Sequence, residues 1–99
     1  MTLETFKQSV ASDPEPPEEL SDLQRALWCA RRDRWHEAHD LVQDDSSSIA
    51  SWVHALLHLI EGDVGNAGYW YHRAGRPSST RSEIDQEWER IAGEVFAIG

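Results

Sequence analysis

Apolar residues recur along the chain at helical spacing, and no stretch alternates apolar and polar residues over the length of a strand. Leu3, Phe6 and Val10 stand at i, i+3 and i+7, which predicts a short amphipathic helix over residues 2–11. From Asp13 to Glu19 three prolines, Pro14, Pro16 and Pro17, fix φ and remove N–H donors, so an extended linker is expected. Ser21 and Gln24 are spaced as a capping box. The helix they open runs to about Arg32 and buries Leu23, Ala26, Leu27 and Ala30. Asp33 is placed to cap a second helix from Arg34 to about Asp44, with Trp35, Ala38, Leu41 and Val42 as its stripe. The tract Asp44–Ser48 ends that helix and caps a third over about 49–61, which Gly62 stops. Asp63 caps a fourth over about 64–74, ended by Gly75 and Pro77. Thr80 and Glu83 form a second capping box for a last helix to about Ala97, striped by Ile84, Trp88, Ile91 and Val95. The pattern predicts an all-α protein, with residues 1–20 as a short helix and Pro/Glu-rich linker ahead of one helical domain over 21–99.

Sliding the chain along itself by 29 residues pairs Ala26 with Ala55, Leu27 with Leu56 and Ala38 with Ala67. Each copy is a helix, a tight turn and a helix, with a small residue where the two would cross. The run Gly62-Asp63-Val64-Gly65-Asn66-Ala67, followed by Tyr71, Ala74 and Pro77, resembles the second half of a tetratricopeptide repeat. Trp52, Ala55, Leu56 and Leu59 resemble the first half. The earlier copy departs from that pattern, with Arg32-Asp33 in place of Gly-Asp and Val42 in place of an aromatic. The string from Leu27 to Pro77 is also similar to a group of short bacterial proteins of uncharacterised function. The resemblance implies two antiparallel helical hairpins in right-handed stacking, and no activity. Two hairpins are fewer than a solenoid needs, so the C-terminal helix is expected to act as a cap.

Composition narrows what such a scaffold does. Eighteen acidic against nine basic residues give a net charge of −9, with the excess at the two ends of the chain. Nucleic acid and anionic membrane surfaces are disfavoured as partners, since both require clustered cations. No apolar run approaches the roughly 20 residues of a membrane span. Residues 1–10 lack the pattern of a secretory signal, and the single Cys29 has no partner for a disulfide, so a cytoplasmic location is expected.

Candidate chemistry lies in five histidines and an aromatic run. His54, His58 and Glu61 share one helix face at i, i+4 and i+7, an arrangement suited to a divalent ion, with His72 as an added ligand. Ala55 stands where a zinc-protease helix needs its general-base glutamate, so the hydrolytic version fails. The simpler expectation is a solvated polar face for His54 and His58, and likewise for His36 and His39. Cys29 reads as a small buried hydrophobe. Tyr69, Trp70 and Tyr71 point in three directions on a helix, leaving at least one exposed beside Arg73 and Arg76. No catalytic motif or cofactor fingerprint is present. The expected function is a non-enzymatic interaction module whose first and third core helices line a groove for a peptide or partner helix. Val53, Leu57, Ile60, Trp70, Tyr71, Arg73 and Arg76 are the expected contact residues. A metal-binding protein and a self-associating homodimer are the alternatives.

Overall fold

The computed structural model describes residues 1–98, and among these the regular structure is entirely helical. The helices are α1 (Leu3–Ser12), α2 (Asp22–Arg31), α3 (Trp35–Val42), α4 (Ser48–Glu61), α5 (Val64–Ala74) and α6 (Ile84–Ile98), the last preceded by a 3-10 turn at Arg81–Glu83. Among the described residues no helix is long and apolar enough to cross a membrane. Caps explain most of the boundaries. The Ser21 hydroxyl accepts from the Gln24 amide while the Gln24 side chain accepts from the Ser21 amide, and Ser47 and Asp63 cap α4 and α5. Gly62 and Gly75 end α4 and α5 at φ +91° and +68°, where a β-carbon would be strained.

Two expected caps are built differently. Asp33 does not cap α3; it occupies the left-handed region at φ +59°, and Arg34 takes the cap position without a side-chain bond to the backbone. Thr80 makes no such bond either, and its hydroxyl instead donates to Glu83 Oε1 at 3.0 Å.

Consecutive helices pack in pairs, α2 on α3 and α4 on α5, and the pairs meet through α2, α3 and α4. The C-terminal helix does more than close one end. It lies against both α2 and α4, burying Trp88, Ile91, Ala92 and Val95. Two hydrogen bonds lock this position: the Trp88 indole donates to the Leu27 carbonyl (2.9 Å), and the Trp52 indole donates to Glu87 (3.2 Å). α6 thus lies on α2 and α4, the two helices expected to line a groove. Each fully buried large side chain contributes about 1.5–3 kcal/mol before entropy is subtracted, so this docking is a principal source of stability.

The N-terminal segment is built into the same core. Phe6 is fully buried and packs between Trp88 (centroids 5.9 Å apart, rings nearly parallel) and Phe96 (4.8 Å). The Trp28 indole donates to Ser9 Oγ (3.1 Å), and Arg32 donates to the carbonyls of Val10 and Asp13. Arg25 reaches the Pro17 carbonyl at 3.1 Å, and Leu20 is buried. The proline-rich stretch is not the extended linker expected: it bends at Pro14–Glu15 and turns at Glu18–Glu19, where the Leu20 amide donates to the Pro17 carbonyl at 3.4 Å, and it is fastened to α2 by guanidinium-to-carbonyl bonds.

A candidate metal centre of three histidines

Helix α4 is buried on nearly every side, and this overturns the solvated face expected for its histidines. His54 and His58 are 4% and 6% exposed. Their spacing of four residues sets them on one face, with ring centroids 4.8 Å apart. Helix α3 lays His39 across them, its ring 4.6 Å from His54 and 5.6 Å from His58. One ligand nitrogen from each of the three lies within 4.8 Å of the other two.

Two tryptophans hold the rings. Trp70 of α5 stacks on His54 at 3.8 Å and 11°, and Trp35 stacks on His39 at 4.9 Å and 14°. The Trp35 indole is fixed in turn by donating to the Leu57 carbonyl. His58 Nδ1 lies 2.9 Å from Glu61 Oε1, and its Nε2 lies 3.4 Å from Asn66 Nδ2. A carboxylate accepting from Nδ1–H makes Nε2 the lone-pair nitrogen, which is how an outer carboxylate selects the metal-binding tautomer. Burial, reinforced by His39 and His58, pushes His54 down to about 4. Burial and the neighbouring His58 also lower His39. His54 is therefore the neutral imidazole that a metal requires at neutral pH.

The cluster differs from the ligand set expected from sequence. His39 enters and His72 does not, since His72 is exposed on α5. Glu61 sits at the rim as the partner of His58, where it forms a second, more open grouping with His58 and Asp63. His36 is exposed and packs edge-on to Trp35. His39 was missed because it shares no helix with the pair, and spacing along the chain reports only one helix at a time.

The expected partner-binding residues scatter. Val53, Leu57 and Tyr71 are 0%, 0% and 1% exposed and belong to the core. Ile60 and Trp70 are half-buried, and only Arg73 and Arg76 are exposed. Arg73 lies 4.9 Å over Trp70 at the edge of the histidine cluster, whereas Arg76 lies 4.1 Å over Trp52. Cys29 is buried as expected, and burial, aided by Glu37, pushes its thiol up to about 11. Compared with protein-family models, curated proteins and solved structures, the chain matches none.

Proposed function

We propose that this protein binds a divalent transition-metal ion of the zinc class through His39, His54 and His58. The observation that carries this reading is the convergence of three imidazoles from two helices, two of them buried, with ligand nitrogens within 4.8 Å of one another. A tetrahedral ion with bonds of about 2.0–2.1 Å holds its nitrogens about 3.3 Å apart, so the rings draw together on binding. Three protein ligands leave a fourth position for water or a small ligand. Glu61 orients His58, and Trp35 and Trp70 exclude water from the flanks.

The scaffold that carries the site is a tetratricopeptide-like unit of two helical hairpins. Supporting this are the paired packing of α2 with α3 and α4 with α5, and the burial of Ala38 and Ala67 at equivalent positions of the two copies. A protein or peptide partner is the second reading: α6 packs on α2 and α4, and the exposed large apolar side chains include Val64 and Tyr69 of α5, both 56% exposed, and Ile98 of α6 at 67%.

Equilibrium dialysis of the purified chain against zinc tests the reading. One ion per chain is expected, with His39→Ala reducing retention by a factor of at least about ten, since loss of even an outer partner of a ligand costs that much. Retention that is absent, or unchanged in His39→Ala, contradicts it.

A further inference from the structure

His54 and His58 are nearly sealed from solvent, which raises the question of how a hydrated ion reaches them. A bare charge is costly to bury, so the waters of the ion have to be exchanged for protein ligands in turn. The rim beside His58 offers such ligands. His58 and Glu61 stand at i and i+3 on the last turn of α4 and share a face. The left-handed Gly62 then turns the chain back, so that the Asp63 amide donates to the His58 carbonyl at 2.9 Å. One ligand atom each from His58, Glu61 and Asp63 lies within 4.8 Å of the other two.

Both carboxylates of this grouping are exposed. Asp63 commits Oδ1 to the Asn66 amide at 3.2 Å, and Glu61 places Oε1 2.9 Å from His58 Nδ1. Arg81 packs over Gly62, yet among the described residues neither carboxylate is paired with a lysine or arginine. The grouping therefore presents two negative charges and an imidazole nitrogen to solvent at the edge of the buried cluster. It also shares His58 with that cluster. A neutral imidazole has one lone pair, so His58 serves an outer ion through Nδ1 or an inner one through Nε2, but never both. The two groupings are consecutive positions for one ion.

We propose that His58, Glu61 and Asp63 capture the ion from solvent and pass it to His39, His54 and His58, a step that rests on the histidine reading above. In the outer position the ion bonds Nδ1 and the two carboxylates, and Nε2 carries the proton. In the transfer the Nδ1–ion bond breaks and an Nε2–ion bond forms. Water takes the proton from Nε2 and returns one to Nδ1, whose N–H then donates to Glu61, so protons and charge balance. The inner set holds the ion more firmly, because imidazole suits a zinc-class ion better than carboxylate does.

Mixing the full chain with zinc in a stopped-flow instrument reports arrival at the inner set through the fluorescence of Trp35 and Trp70, which stack on His39 and His54. Asp63→Asn removes a charge and keeps a side-chain oxygen for the Asn66 amide, so α5 retains its cap. It is expected to slow zinc uptake roughly tenfold, within the range over which focused charge sets association rates. Release is expected to slow by the same factor, leaving the affinity measured by equilibrium dialysis unchanged. Asp40→Asn removes an exposed charge next to His39 but outside the grouping. At about 0.15 M salt, where exposed charges are largely screened, it is expected to alter uptake by at most about twofold. Uptake by Asp63→Asn that is unslowed, or slowed no more than by Asp40→Asn, overturns the proposal. So does slower uptake with unchanged release, which makes Asp63 part of the final site. Normal zinc retention with undisturbed rates removes the capture step alone, whereas a chain that retains no zinc overturns the histidine reading as well.

Discussion

His54 shows most directly what burial does to a single side chain. Its folded form resists protonation down to about pH 4, whereas the unfolded chain takes up a proton near the ordinary value of 6.5. A proton therefore binds the unfolded state first. The contribution is fully present above pH 6.5, is lost as pH falls from there to about 4, and then levels off. For this one group the loss amounts to at most about 3 kcal/mol, and urea titrations of the metal-free protein between pH 7 and 4 will measure it. His54→Gln, which cannot titrate, is expected to flatten that dependence. Asp33 offers a second residue-scale test. A non-glycine residue in the left-handed region costs on the order of 1 kcal/mol, less for Asp than for most, so Asp33→Gly is expected to raise the unfolding free energy by up to about that much. These features differ in how far the chain discloses them. The left-handed Gly62 and Gly75 are legible because glycine advertises its conformation, while Asp33 reads equally well as a cap or as a turn. His54 and His58 are legible as neighbours on one face, but their environment is supplied by α3 and α5, which their spacing does not describe.

Among the elements, the helices themselves follow from apolar spacing and caps, and their existence and order are legible nearly throughout. Where α6 goes is not. Its stripe of Ile84, Trp88, Ile91 and Val95 announces a buried face without saying which surface buries it. The answer depends on polar contacts between distant positions, Trp88 with the Leu27 carbonyl and Trp52 with Glu87, that no local pattern encodes. The same holds for α1, which is too short to stand alone and is ordered by inserting Phe6 between Trp88 and Phe96. Because Phe6 is fully enclosed, Phe6→Ala is expected to destabilise the protein by about 3–5 kcal/mol in a denaturant titration, and a cost near zero contradicts this docking. Removing α6 is expected to be worse: a chain ending at Pro77 uncovers the surfaces of α2 and α4 on which α6 packs and loses cooperative melting. A soluble 1–77 fragment with a sharp thermal transition shows that the first five helices are self-sufficient.

For the whole molecule, the consequence is a division of labour between two surfaces of α4. One is covered by α6, and the other is enclosed by α3 and α5 around three histidines. Packing of short helices in pairs makes this possible, because α4 is central and three of the helices around it place a side chain on its flanks: His39 from α3, Trp70 from α5 and Glu87 from α6. A site assembled this way depends on the tertiary fold, so metal affinity and folding are linked, and a bound ion stabilises the native state by mass action. Crystals grown with zinc and measured at its absorption edge test the central claim most directly. A single anomalous peak is expected among the imidazoles of His39, His54 and His58; a peak only at Glu61 and Asp63, or none on the chain, contradicts it.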